Sequence, residues 1–75
     1  MREYLERLRI EKGMAKQEMA KKLDVSLSYY CQIEKGDRQQ NMSLQLMKKI
    51  SSALNVPMGY IIEEETTLMN SLHNG

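Results

Sequence analysis

Residues 14–36, MAKQEMAKKLDVSLSYYCQIEKG, contain two short helical patterns separated by a break of only a few residues. In the first pattern Ala20 and Leu23 lie three residues apart on one face, and the small side chain of Ala20 lets a second helix approach closely. Asp24 begins the break, because Asp tolerates the left-handed backbone of a tight turn. Ser26 is a favourable N-cap for the helix that follows. The stretch therefore predicts two helices that cross around a tight turn.

The second helix of this stretch has an inward and an outward face. Tyr30 and Ile33 lie three residues apart and are predicted to pack inward, and Gly36 is a suitable C-terminal stop. For Tyr29, packing at the edge of the core is favoured, and a hydrogen bond from its hydroxyl to a ligand is the alternative. The outward face then consists of Leu27, Ser28, Cys31 and Gln32.

Helical patterns continue on both sides of this stretch, and no alternating run with a hairpin turn suggests a strand. The predicted helices cover residues 2–12, 15–22, 26–35, 43–54 and 57–62. These boundaries predict an all-α fold, a compact five-helix domain spanning residues 1–62. Residues 63–75 are expected to form an acidic C-terminal tail that is either disordered or part of a dimer contact.

Composition and charge restrict the classes of function. Residues 1–62 hold all 11 Lys and Arg and seven of the ten acidic residues, which gives +4 against −3 for residues 63–75, a distribution compatible with a nucleic-acid partner. Cys31 is the only cysteine, so no internal disulfide forms. No signal peptide or membrane span is evident, and we expect a cytoplasmic protein. Without a catalytic constellation, a phosphate loop or a metal-ligand cluster, we expect no enzymatic activity, metal, cofactor or small-molecule substrate.

Four motifs follow one another in a fixed order and spacing. They are Leu8-Arg9-x-x-Lys12-Gly13-Met14, Glu18-Met19-Ala20-x-x-Leu23-x-Val25-Ser26, Tyr29-Tyr30-x-Gln32-Ile33-Glu34-x-Gly36-x-Arg38 and Leu44-x-x-Met47-x-x-Ile50-x-x-x-Leu54-x-Val56-Pro57. With these motifs, the chain from about Leu5 to Ile62 resembles the phage repressor and Cro-like helix-turn-helix DNA-binding proteins, also called the Xre family. The resemblance implies a repressor-like fold and a prokaryotic or phage transcription regulator, expected to be a repressor that binds an inverted-repeat operator as a homodimer.

The resemblance also implies roles for individual residues. The helix over residues 26–35 enters the major groove, where Leu27, Ser28 and Gln32 match positions that reach base edges, and Cys31 shares their face. Arg9 and Glu34 match a structural ion pair. The residues expected to contact the DNA backbone are Lys16, Gln17, Tyr29, Lys35 and Arg38. The candidates for a dimer contact are Tyr60, Ile61, Leu68, Met69 and Leu72.

Four positions and one loop depart from the usual family pattern. Lys16 stands where the family usually has Gln, and the loop after Gly36 has two extra residues. Ala15 stands where the family usually has a Ser or Thr cap, at a cost of about 1 kcal/mol. Asp24 stands at a turn position where Gly is usual. Leu27 is apolar at a position that often carries a hydrogen-bonding side chain, which favours contact with a thymine methyl group there.

Two other functions stay open at this point. One is a protein-interaction module, such as an antirepressor or an antitoxin that binds a partner protein through its tail. The other is a controller protein of a restriction system, which has a similar length. Glu63–Glu65 and His73 are expected to be solvated, and a surface side chain is favoured over a redox switch for Cys31.

Overall fold

The computed structural model describes the backbone of residues 1–74 and the side chains of residues 1–69. Within these residues the chain forms five helices and no strand, which confirms the all-α fold. The helices are α1 (Glu3–Glu11), α2 (Lys16–Leu23), α3 (Leu27–Lys35), α4 (Leu44–Leu54) and α5 (Met58–Asn74). No described helix is long and apolar enough to cross a membrane.

Serine side chains cap the N-termini of α3 and α4. Ser26 Oγ accepts a hydrogen bond from the Tyr29 amide at 3.1 Å, and Ser43 Oγ accepts one from the Leu46 amide at 3.2 Å. Ala15 precedes α2 without a side-chain cap, as the sequence predicts. A cap pairs an amide that the helix itself leaves without a partner, so the N-terminus of α3 is better stabilised than that of α2.

The turn between α2 and α3 is short and sharply bent. Asp24 adopts the left-handed conformation, with φ 59° and ψ 46°, which confirms its predicted place in the turn. The amide of Val25 then donates to the carbonyl of Ala20 at 3.0 Å, which closes the end of α2. At the other end of α3, Gly36 has a φ of 86°, a conformation in which a side chain would be strained. Both turns fix the direction of α3 relative to its neighbours.

A shared core joins the helices. α2 packs against both α3 and α4, α4 packs against α5, and α1 contacts α3. Leu5, Leu23, Tyr30, Ile50 and Ile61 contribute one fully buried side chain from each helix in turn. Burying a side chain of this size contributes about 1.5–3 kcal/mol. The core therefore holds α3 from its inner face and leaves its outer face open.

The fifth helix is longer than the sequence predicts. The expected end is Ile62, but α5 continues through Asn74, so residues 63–74 extend the helix instead of forming a separate tail. Glu65 lies four residues after the buried Ile61 and therefore faces the same side of α5. Its side chain is only 3% exposed. The expectation of a solvated Glu63–Glu65 run is wrong for Glu65, although Glu63 is exposed.

Candidate nucleic-acid interface

The outer face of α3 is an open surface supported by the core beneath it. Leu27 is 45% exposed, Ser28 is exposed, and Cys31 and Gln32 are partly exposed. Tyr30 and Ile33 on the opposite face are fully buried, as predicted. The structure therefore brings the four side chains predicted to read bases onto one accessible face of a rigidly held helix.

Basic and polar side chains border this face. Lys16 and Gln17 are exposed in the first turn of α2, Lys35 is exposed in the last turn of α3, and Arg38 is exposed in the loop after it. The first turn of α2 also carries amide groups without helical partners, which favour an anion. Lys16, Lys35 and Arg38 therefore supply exposed positive charge at the start of α2 and at the end of α3.

Tyr29 lies at the edge of this face and is partly exposed. Its hydroxyl accepts a hydrogen bond from Gln39 Nε2 at 2.9 Å, and Gln39 Oε1 accepts one from the Ser43 amide at 3.3 Å. Both interpretations of Tyr29 in the sequence are thus compatible with its place, because the ring packs against the core while the hydroxyl hydrogen stays available.

The loop after α3 folds back onto the same helix. Arg38 Nε donates to Gln32 Oε1 at 2.9 Å, and the Arg38 amide donates to the Gln32 carbonyl at 3.3 Å. Arg38, which is predicted to contact phosphate, is therefore hydrogen-bonded to Gln32, which is predicted to read a base.

The Arg9–Glu34 ion pair implied by the family resemblance is present. Arg9 Nε lies 2.8 Å from Glu34 Oε2, and Arg9 Nη1 donates to the Met14 carbonyl at 2.8 Å. The Tyr30 hydroxyl donates to the same Glu34 oxygen at 2.5 Å. Burial, followed by this hydrogen bond to a carboxylate, raises the pKa of Tyr30 far above its usual range. The pair ties α1 and the loop before α2 to the inner side of α3.

A second buried ion pair lies between the N-terminus and α5. Arg2 is 1% exposed, and its Nε lies 2.8 Å from Glu65 Oε2. Its guanidinium also donates to the carbonyls of Ile33, Arg38 and Gln39, at the end of α3 and in the following loop. This one side chain therefore connects α5 to the loop that borders the outer face of α3.

Local sequence patterns do not predict this second pair. Three successive glutamates are usually a solvated segment, and Arg2 precedes the first helix among other charges. One signal was available, because Glu65 continues the helical spacing of Ile61 and leads to Leu68 three residues later. The partner of Glu65, however, lies 63 positions away in the chain and cannot be identified from local patterns.

The candidate dimer residues fall into different environments. Ile61 is fully buried within its own chain, so its predicted place in a dimer contact is wrong. Tyr60 is partly exposed and its hydroxyl accepts a hydrogen bond from Arg7 Nη2 at 2.6 Å, and Leu68 and Met69 are partly exposed. The side chain of Leu72, like that of His73, lies outside the described residues. Three of the five candidates thus keep accessible surface in the described part of α5.

Comparison with known proteins agrees with this geometry. Residues 5–61 match the protein family described as Helix-turn-helix, a region that begins within α1, contains α2 to α4 and ends at the start of α5. The chain is also 34% identical over 64 residues to the uncharacterized HTH-type transcriptional regulator YqaF of Bacillus subtilis (strain 168), covering 85% of this chain and 82% of that relative. With Asp24 in the left-handed conformation between two packed helices and an open outer face on the second of them, the chain belongs to the Xre-like helix-turn-helix family of DNA-binding transcriptional regulators.

Proposed function

We propose that this protein is a transcriptional repressor that inserts α3 into the major groove of a specific operator. The observation that carries the proposal is the outer face of α3, where an apolar and several polar side chains stand together on a helix fixed at both ends. A B-DNA major groove accommodates one α-helix, and its base edges offer hydrogen-bond donors, acceptors and methyl groups. The mixed face of α3 matches that chemistry.

Three side chains on α3 divide the proposed base reading between them. Ser28 and Gln32 supply hydrogen-bonding groups, while Leu27 supplies an exposed apolar surface for a thymine methyl group. Cys31 lies between them and is a small apolar contact with a weak donor. This combination favours an operator half-site with at least one A·T pair.

Side chains at the start of α2, on α3 and in the loop after it are proposed to hold the DNA backbone. Lys16 and the first-turn amides of α2 face one phosphate group, and Lys35 and Arg38 supply positive charge at the other end of α3. Gln17 and the Tyr29 hydroxyl are the uncharged contacts in this set. Such contacts fix the position of the helix in the groove without selecting a sequence.

The protein is proposed to act as a homodimer on an inverted repeat. A single helix offers few contacts, so two copies are needed for a stable complex, with half-sites about 34 Å apart along the duplex. The partly exposed Tyr60, Leu68 and Met69 and the 41% exposed Ile62 support a contact through α5. Leu72 belongs to the same proposal.

The test is selection from a randomised duplex library, followed by fluorescence anisotropy with the selected duplex across a salt series. The wild-type protein is expected to enrich an inverted repeat and to lose affinity with salt, at a slope that reports several phosphate contacts. The variant S28A/Q32A is expected to lose sequence preference. Its matched control is Q45A/S52A, which removes the same side-chain types from exposed positions on α4.

Two results would contradict the proposal. Failure of the wild-type protein to enrich any sequence at low salt would favour a protein-interaction module instead. Equal loss of preference in both double variants would show that the outer face of α3 has no special part in reading DNA. Repression itself is tested by placing the selected sequence over a promoter in a reporter strain.

A further inference from the structure

Gln32 and Arg38 are joined at both backbone and side chain. The amides of Asp37 and Arg38 donate to the Gln32 carbonyl at 2.9 and 3.3 Å, which closes the end of α3 onto the loop. Arg38 Nε then donates to Gln32 Oε1 at 2.9 Å. The backbone and side-chain hydrogen bonds between Arg38 and Gln32 together place the guanidinium beside the side-chain amide of Gln32 in this loop conformation.

The loop is held in this conformation from its buried side. Arg2 Nη1 donates to the Arg38 carbonyl at 3.1 Å and to the Ile33 carbonyl at 2.7 Å, and the Arg2 side chain is itself paired with Glu65. The Arg38 side chain therefore starts from a fixed backbone position, although its own guanidinium is exposed.

The hydrogen bond decides which groups of Gln32 remain for a ligand. Oε1 already accepts from a positively charged donor, whereas both Nε2 hydrogens lack a hydrogen-bond partner within the described residues. A glutamine that pairs with adenine must use Oε1 to accept from the N6 amino group. Oε1 has a second lone pair, but the guanidinium of Arg38 at the first one places a positive charge beside it, and this charge disfavours the approach of the N6 amino group. Acceptors such as N7 and O6 of guanine are not disfavoured by this charge.

We propose that Arg38 determines base preference by acting through Gln32, whose fixed amide presents its Nε2 hydrogens to the acceptor edge of guanine instead of pairing with adenine. Arg38 is thus a positioning residue for base reading in addition to a phosphate contact. This inference rests on the proposed function, because it requires that α3 enters the major groove.

The experiment selects duplexes from a randomised library with the full chain as wild type, Arg38→Met, Gln32→Ala and the double variant. Wild type is expected to prefer guanine at one base pair by about tenfold, and Gln32→Ala is expected to lose that preference. Arg38→Met frees Oε1 and is expected to shift the preference at the same base pair toward adenine. In the Gln32→Ala background, Arg38→Met is expected to change no base preference.

A matched variant separates this effect from the loss of a charge. Lys35→Met removes one exposed basic side chain from the same end of α3, and it is expected to weaken binding to all sequences alike and lower the salt slope by about one. Far-UV circular dichroism and urea unfolding establish that each variant is folded. Because Lys35 and Arg38 both lose a charge, only a base-selective change in Arg38→Met supports the proposal.

The failures are distinguishable. If wild type enriches no sequence, the proposed function fails and this inference fails with it. If wild type enriches an operator but Arg38→Met behaves like Lys35→Met, with a uniform loss over all base pairs, only the role of Arg38 in base reading is overturned. A base shift by Arg38→Met that persists without the Gln32 amide also overturns it.

Discussion

The two buried ion pairs share one contact but join different parts of the molecule, and only Arg2 adds a second hydrogen bond, from Nη2 to Glu65 Oε1 at 3.1 Å. In each, an arginine Nε lies 2.8 Å from a glutamate Oε2, and a tyrosine hydroxyl donates to that same oxygen. Arg9–Glu34 ties α1 to the inner side of α3. Arg2–Glu65 ties α5 to the end of α3 and to the loop that follows. The first pair therefore fixes the helix that is proposed to enter DNA, and the second fixes the loop that borders it.

Loss of either arginine should not cost the same free energy of unfolding, because different numbers of acceptors depend on Arg2 and on Arg9. Glu34 receives donors from Arg9 and Tyr30, and loss of Arg9 exposes one further acceptor, the Met14 carbonyl. Loss of Arg2 removes the donor from the Arg38 and Gln39 carbonyls and one of two donors from the Ile33 carbonyl, which keeps the Gly36 amide. It also leaves Glu65 with the Tyr4 hydroxyl alone. Since a buried acceptor without a donor costs about 1–3 kcal/mol, the number of dependent acceptors should decide which pair matters more.

The largest effect is expected from Arg2→Met. It leaves the Glu65 carboxylate buried without its cation and removes the guanidinium from three carbonyls, so we expect a loss of at least about 3–5 kcal/mol in the free energy of unfolding. For a domain of this size such a loss leaves little or no stability. Urea unfolding followed by far-UV circular dichroism measures it. A loss smaller than that of Arg9→Met would contradict the ranking of the two pairs.

Arg9→Met is the matched variant in the other pair. We expect a loss of about 3 kcal/mol, because Glu34 loses its cation while only one backbone carbonyl, that of Met14, loses its donor. The tyrosine hydrogen bond is retained in both variants, from Tyr30 to Glu34 and from Tyr4 to Glu65. Urea unfolding under the same conditions gives the direct comparison. Wild-type stability in this variant would mean that the Arg9–Glu34 pair contributes nothing in solution.

The same contrast explains how far the sequence predicts this molecule. The helix-turn-helix depends on neighbours in the chain, and Ala20, Asp24 and Ser26 are sufficient to predict two helices around a turn. The burial of Glu65 involves Arg2, far away in the chain, and local helical spacing does not predict such a contact. That is why residues 63–74 were expected to form a separate tail.

The candidate site divides in a similar way. The outer face of α3 follows from helical spacing, so the sequence predicts Leu27, Ser28, Cys31 and Gln32 as a group. The hydrogen bonds that hold Gln32 and Tyr29 come from the loop after α3, where Gln39 adopts a left-handed conformation with a φ of 57°. A polar loop without a strong turn motif does not reveal this conformation in the sequence.

A smaller effect on the free energy of unfolding is expected at alkaline pH. It arises from Tyr4 and Tyr30, which donate hydrogen bonds to the glutamates of the two ion pairs. Burial, followed by the hydrogen bond to Glu65, raises the pKa of Tyr4 far above its usual value of 10.0. Burial and the hydrogen bond to Glu34 raise the pKa of Tyr30 in the same way. Above about pH 10 the unfolded chain releases these protons while the folded chain retains them, so stability present at lower pH is lost as the pH rises.

Phenylalanine variants test this pH dependence in each pair. Tyr4→Phe and Tyr30→Phe are each expected to lower stability by about 1 kcal/mol at neutral pH and to weaken the alkaline loss. Urea unfolding at about pH 8 and about pH 11 measures both effects. Tyr60→Phe, which removes a partly exposed hydroxyl, is the control. An alkaline loss that is unchanged in both core variants would show that other groups cause it.

The smallest effect is expected from Glu63→Gln. Comparison with Glu65→Gln tests whether the buried Glu65 contributes more to stability than the exposed Glu63. Glu63 is exposed, so its carboxylate already has water as a partner, and we expect no measurable change in the free energy of unfolding. Glu65→Gln makes the same chemical change next to Arg2, and we expect a loss of about 3 kcal/mol because a buried guanidinium then lacks its counter-charge. Equal urea midpoints for the two variants would mean that the Arg2–Glu65 pair does not hold α5 against the loop in solution. The coupling between α5 and the outer face of α3 would then have no support in stability.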